Sequence, residues 1–353
     1  MITISKIKEY LESHPRMNYI VYSFRFILPS KDKCRYIISL AEDPNVIEVH
    51  HNGNTSTPKI LYEISIAPSW KMSGFCFLLR VTLLHMYYAD EMGFEPLVEW
   101  PKDLLYAEDE LYFNTHNCYE YYFENISKYK AIDAKNVIFS KKADATQYMS
   151  SNVYKVSEEE LNIMAQMIKK YIRLNERGKK EIEDKAAKRT RGKKTLGVHL
   201  RRTDFAENYN NHPKIVSVEN YINETRKIFD KGKYEMVFLA TDDENVIMLF
   251  KQLFLDKLLT NNVKRSGDGK PIHYGHTTNA IGMKCLLQQD ILLDVYSLSY
   301  CEGIVCGLSN VSAMARALKQ SRDEKFQDVI VLDNGVNENM KSFVLNKVGL
   351  INK

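Results

Sequence analysis

No two cysteines in this chain are separated by only two residues. The six (Cys34, Cys76, Cys118, Cys285, Cys301 and Cys306) form no C-x-x-C pair, so neither a zinc ligand set nor a dithiol redox motif is expected, and free thiols in a reducing cytoplasm are. Also missing is any stretch near the roughly 18 uninterrupted apolar residues of a membrane span. The opening MITISKIKEYLESHPRMN lacks the apolar core of a signal peptide. There are no internal repeats and no low-complexity tracts. Neither G-x-G-x-x-G nor a Walker A sequence occurs, which disfavours a dinucleotide dehydrogenase or a P-loop enzyme. Large charge imbalance is absent too: 49 Lys and Arg face 45 Asp and Glu, a net +4 that permits anionic ligands without demanding nucleic acid. Four N-x-S/T matches, at Asn54, Asn125, Asn223 and Asn310, read as coincidence in a cytoplasmic chain.

What is present is an ordinary globular composition, 44% hydrophobic and 27% charged, over 353 residues, enough for two domains with separate cores. Ser157 and Glu160 have the spacing of a capping box, and Leu161, Met164, Ile168 and Ile172 follow at helical intervals, so a long helix is expected there. It runs into NERGKKEIEDKAAKRTRGKK, residues 175–194, whose alternating charge and lack of large apolar residues describe a solvated helix or linker rather than a nucleic-acid patch. The boundary is expected near residues 185–194, giving domains of 1–190 and 191–353.

Beyond the boundary the pattern becomes strand, polar loop, helix, and repeats. TLGVHL, EMVFLAT, EGIVCG and DVIVLD read as short buried strands, with helices expected over 218–229, 244–254, 288–300 and 311–319. Short apolar strands alternating with helices imply a parallel sheet covered on both faces, with ligands outside the carboxyl ends of the strands. The polar residues fall at those ends: His199 to Asp204 after the first strand, Asp242 and Asp243 after the second, Ser309, Asn310 and Ser312 after the third. Arginine offers a fork of donors to phosphate oxygens, paired aspartates can accept from ribose hydroxyls, and a serine cap opens a helix whose amide end attracts an anion. Together they describe a nucleoside diphosphate site. Singly, each has a plainer reading: an interdomain ion pair for Arg201-Arg202-Thr203-Asp204, a simple N-cap for Asp243 or Ser309, a core histidine for His199. Asp294, set among Ile291, Leu293 and Leu298, is a carboxylate able to accept from the N1 and N2 edge of guanine, or a helix face that is partly exposed. No Asp-x-Asp is present to hold a nucleotide through a divalent metal.

GVHLRRTD, VFLATDDENV and ILLDVYSLSYCEGIVCGLSN, in this order, resemble the three signature regions of the α-1,6-fucosyltransferases, across about residues 195–320. A thinner similarity covers SGFCFLLRVTLLHMYYADEMGFEPLVEW, residues 73–100. The resemblance implies an α/β fold of GT-B type, two Rossmann-like domains facing a central cleft, with the acceptor side in 1–190 and the GDP-sugar side in 191–353. It implies inverting transfer of L-fucose from GDP-β-L-fucose with no metal or other cofactor. His199 and Asp294 would face guanine, Asp243 the ribose, and Arg201 the β-phosphate beside Ser309 and Asn310. Arg202 would hold the strand-end loop, and Gly74 and Phe75 would approach GDP from the other domain. The chain departs from the family at Phe205, where a lysine is usual, and in a loop about one residue shorter. Its single carboxylate after Asp204, Glu207, is the expected general base, with Asp204 the competitor. An oligosaccharide, a polysaccharide precursor or a glycolipid is the expected acceptor, and a peripheral contact with the inner face of a membrane is compatible with an isoelectric point near 8.5. Transfer of another GDP-sugar (mannose, rhamnose or a deoxyheptose), or nucleotide or glycan binding without catalysis, are the alternative readings. The aromatic-rich segment 114–132 is expected to pack the first domain, with a sugar-stacking platform as the other possibility.

Overall fold

A computed structural model describes residues 47–51, 60–67, 70–131, 136–140, 148–150, 154–203, 212–269 and 280–337. The described chain is built on two sheets, both with parallel pairing, in a mixed α/β arrangement. The first sheet has strands β1 (Ile47–His51), β2 (Leu61–Ile64), β3 (Glu95–Val98) and β4 (Asn136–Ser140) in the order β1-β4-β2-β3, with β1 antiparallel at one edge. Helix α1 (Phe75–Met92) connects β2 to β3 and ends at Gly93, whose φ of 71° supplies the left-handed turn that closes the helix. The aromatic-rich segment packs as expected: Tyr119, Tyr121, Tyr122 and Phe123 are all essentially buried.

The second sheet is fully parallel. Strands β5 (Thr195–Leu200), β6 (Met236–Thr241), β7 (Leu258–Leu259), β8 (Gly303–Gly307) and β9 (Asp328–Leu332) lie in the order β7-β6-β5-β8-β9. The order reverses between β5 and β8, so the topological switch point, where open α/β sheets bind ligands, lies there. Leu196, Val198 and Leu200 point to one face, in a core with Tyr221 and Ile228 of α4 (Val218–Phe229) and Val246 and Phe250 of α5 (Glu244–Phe254). Alternation sends Gly197 and His199 to the other face. There α6 (Met283–Tyr300) packs so closely that a Cβ on Gly197 would sit 3.2 Å from Cys301 and Leu298 atoms. α7 (Asn310–Ser321) lies beside α6 on that face.

The long helix expected after Ser157 is α2 (Glu158–Tyr171), and Ser157 Oγ accepts from Glu160 N at 3.2 Å. Only half of the capping box forms, because the Glu160 carboxylate turns inward to Arg80 instead. The segment expected as solvated helix or linker is one turn (Glu176–Gly178), a π-helical stretch (Lys179–Glu183) and α3 (Asp184–Thr190). It packs on α6, with Thr190 Oγ1 donating to Ser297 O at 3.0 Å, while α2 packs on α7, with Arg316 bonded to Glu158 at 2.6 Å. The largest core is continuous across both units, running from Tyr62 and Phe75 through Met164 to Leu292 and Met314. No helix among the described residues is long and apolar enough to cross a membrane.

Candidate active site at the switch point

β5 ends on Leu200 and β8 on Gly307, and the polar residues that follow each strand end flank the switch point. Asp242, after β6, binds the chain leaving β5. Its Oδ1 accepts from Arg202 N at 3.0 Å, and its Oδ2 accepts from Thr203 N at 3.2 Å and Thr203 Oγ1 at 2.7 Å. Three donors on one carboxylate make a charge-assisted clamp that fixes where Arg201 and Arg202 leave the sheet. Asp243 caps α5, accepting from Asn245 N at 2.9 Å, and its Oδ2 lies 3.4 Å from Arg202 Nε. Asp243 is thus the plain helix cap that its position allowed, while Asp242 caps nothing and instead holds the chain that leaves β5.

The charge of Arg201 is felt in the other unit. Its guanidinium acts on Cys76 and Tyr106, favouring the ionised forms of both, although burial dominates and pushes the Cys76 thiol up to about 12 and the Tyr106 hydroxyl well above its usual range. Tyr106 Oη accepts from Phe75 N at 2.8 Å, and the Phe75 ring meets Trp100 and Tyr106 edge-on at 5.6 and 5.2 Å. A Cβ on Gly74 would meet no atom within 4 Å, so the start of α1 opens onto space. The start of α1, with Gly74 facing open space and Phe75 N held by Tyr106, thus lies in the unit where the charge of Arg201 is felt.

At β8 the chain enters α7 through Ser309, whose Oγ accepts from Val311 N at 3.1 Å. Ser312 Oγ donates to Gly307 O and Ser309 O at 3.0 and 2.9 Å, holding the strand-to-helix turn closed. The first helical residue, Asn310, receives a hydrogen bond on Oδ1 from Arg80 Nη1 of α1 at 2.9 Å. A helix N-terminus directed at the strand ends is a ready site for negative charge.

His199 is buried in β5, in register with Ala240 and Cys306, on the face covered by α6. Asp294 lies on that helix and is partly buried. Burial raises its carboxyl to about 7, opposed by the hydrogen bond from Asn261 and the charge of Arg265, and assisted by Asp290. Asn261 Nδ2 donates to Asp294 Oδ1 at 2.8 Å and to Ser297 Oγ at 3.0 Å. Arg265 braces this segment through Asn261 O at 2.8 Å and Val263 O at 3.1 Å. Asn261 and Arg265 escaped sequence reasoning because β7, only two residues long, carries no periodicity; once β7 is recognised, Asn261 is simply another strand-end residue. Arg80 escaped as well, though its signal was there: it is the one Arg, Lys, Asp or Glu among residues 75–86. Asp204 and Glu207 lie outside the described residues.

The family model for alpha-(1,6)-fucosyltransferase N- and catalytic domains matches residues 146–333, more than half of the chain. The chain belongs to that family, and it is a glycosyltransferase. Among solved structures, NodZ α-1,6-fucosyltransferase co-crystallised with GDP aligns with 16% identity over 74% of this chain and 92% of its own, at a TM-score of 0.46. NodZ from Bradyrhizobium aligns with 15% identity over 74% and 93%, at 0.43. POFUT1 in complex with GDP-fucose aligns with 11% identity over 77% and 73%, at 0.36. Similarity at this level assigns no residue. No curated protein matches the chain.

Proposed function

We propose that this fucosyltransferase takes L-fucose from GDP-β-L-fucose and places it on a hydroxyl of a glycan acceptor, with inversion at the anomeric carbon and with no metal or other cofactor required. The supporting observation is that β5 and β8 are paired parallel strands on either side of the switch point, so that Arg201 follows one carboxyl end and the capped N-terminus of α7 follows the neighbouring one. In this reading His199 and Asp294 take the guanine, Asp243 the ribose, and Arg201 with Ser309 and Asn310 the diphosphate, while Ser312, its hydroxyl committed to Gly307 and Ser309, shapes the turn that presents them. Asp242 and Arg202 hold the loop, and Gly74 and Phe75 approach from the other side of the cleft.

The reaction is a single displacement. The acceptor oxygen forms a bond to the anomeric carbon as the bond to the β-phosphate oxygen breaks on the opposite face, which inverts the centre. Glu207 takes the acceptor proton, with Asp204 as the competing base. Negative charge grows on the departing GDP, so donors already aimed at that position stabilise the transition state more than the ground state. Arg201 supplies this charge stabilisation, a task that a divalent metal performs in other nucleotide-sugar enzymes. The first unit provides the acceptor surface, for an oligosaccharide, a polysaccharide precursor or a glycolipid. A lipid-linked acceptor would bring a cytoplasmic protein to the inner face of the membrane as a peripheral visitor. Incubation with GDP-fucose in EDTA tests the reading: wild type should release GDP, and Glu207→Ala should bind GDP normally yet lose turnover by a factor on the order of 100 or more. Undiminished turnover in Glu207→Ala removes the base assignment, and no GDP release by wild type in EDTA contradicts metal-free transfer.

A further inference from the structure

A charge pair buried inside a protein is costly unless its geometry is good and further hydrogen bonds satisfy its remaining lone pairs and protons. Arg80 and Glu160 form such a pair, 0% and 1% exposed, with Nε to Oε1 at 2.6 Å. Arg80 comes from α1 and Glu160 from the first turn of α2. The second carboxylate oxygen of Glu160 accepts from Ser150 N at 2.9 Å and Ser150 Oγ at 2.7 Å, so both oxygens of the acid are held. The arginine is therefore locked at its Nε edge, and it presents Nη1 to Asn310 Oδ1 at 2.9 Å.

That last contact has a chemical consequence. A guanidinium only donates, so the atom of the Asn310 amide facing it must be the oxygen. The NH2 end of the amide is then turned away from Arg80, at the first residue of the helix that follows β8. An asparagine fixed by nothing could present either end. With Arg80 in place it presents a donor, beside the Ser309 cap and the α7 amides.

We propose that Arg80 is a positioning residue for the donor: held by Glu160, it sets the Asn310 amide so that its NH2 group donates to a phosphate oxygen of the nucleotide. The inference rests on the reading of the switch point as a GDP-sugar site. It adds that the phosphate end is oriented from the first unit, by an α1 residue that reaches the first residue of α7 just beyond β8. Ground-state binding of a diphosphate thus depends on a residue that touches no ligand.

The test compares GDP with guanosine, which shares the base and ribose and lacks phosphate. Arg80→Lys keeps the positive charge but not the fork, and should weaken GDP about tenfold, the worth of one charge-assisted hydrogen bond, with guanosine unchanged. Asn310→Ala should give the same selective loss, and the double variant should be no worse than Asn310→Ala alone. Should Arg80→Lys fail to fold by circular dichroism, Asn310→Ala carries the decision, since its side chain is partly exposed and its loss leaves the Arg80–Glu160 pair intact. Equal weakening of GDP and guanosine by both variants, or GDP affinity indifferent to both, overturns the proposal while leaving the donor site standing. Wild type that binds no GDP overturns the donor site and this inference together.

Discussion

Replacing Asp294 by asparagine removes one negative charge and turns one of two acceptor oxygens into a donor, which in the proposed reading would meet the N1–H and N2–H donors of guanine. The wild-type carboxyl is raised to about 7 by burial, with Asn261 and Arg265 pulling it down and Asp290 pushing it up. Only the ionised form can accept from both N1–H and N2–H, so GDP must capture that form. The sign follows directly: below the carboxyl's own titration point the unliganded site is mostly protonated, and binding must first expel a proton. Affinity for GDP should therefore rise with pH, by about tenfold between pH 6 and pH 8, and level off above. The diphosphate titrates in the same range, which makes UDP the necessary control, because it shares the phosphates and lacks the guanine edge. Calorimetric titration of both nucleotides at pH 6, 7 and 8 isolates the base. Asp294→Asn should flatten the difference between GDP and UDP across pH. At pH 8 it should weaken GDP by a factor of about 10 to 100, the range for hydrogen bonds to a charged partner, with UDP unchanged. A pH-independent ratio of GDP to UDP affinity in wild type, or equal weakening of the two nucleotides by the substitution, refutes the guanine assignment.

Arg201→Ala should lower the rate of GDP-fucose turnover by on the order of 3 kcal/mol of transition-state stabilisation, roughly 100-fold, with a smaller effect on GDP affinity; steady-state assay decides, and turnover near wild type removes Arg201 from the phosphate role. Gly178→Ala tests the packing of the helical segment before α3. A Cβ there would overlap the Tyr122 carbonyl oxygen and lie 2.8 Å from Leu174 Cδ2, so thermal unfolding should show a loss on the order of 2 kcal/mol or more, and an unchanged melting temperature would contradict that close approach.

Much of the second sheet was legible in the sequence because its central strands are apolar runs ending abruptly in charge. TLGVHL stops at Arg201, and the break marks the point where the chain leaves the core for the ligand side. Helices over 218–229 and 244–254 fall where their periodicity put them, since each has one buried stripe and a side-chain cap at Ser217 or Asp243. α6 begins at Met283, five residues before the expected start; its first turn has no side-chain cap to announce it, and Gly282 at φ 90° opens it instead. The strand-end logic placed His199, Arg201, Asp242 and Ser309 around one switch point, but it could not show how their bonds are shared. Asp242 is engaged by backbone donors forty residues away, and Asn310 by an arginine from the other unit. Such partners are set by tertiary packing, and no spacing within the sequence encodes them. The helical segment before α3 illustrates the same limit. Its alternating charges read as solvent-facing, yet Ile182, Ala186 and Thr190 line a fully buried seam against α6, too few apolar residues to stand out among the lysines and glutamates.

The central claim is that the switch point binds GDP and needs no metal to do so. The most direct measurement is calorimetric titration of the purified protein in EDTA against GDP, UDP, ADP and CMP. The account predicts binding selective for GDP, with the other three weaker by tenfold or more, because they lack the guanine edge that Asp294 accepts. Equal affinity for all four nucleotides, or GDP binding that appears only when a divalent cation is restored, would contradict it.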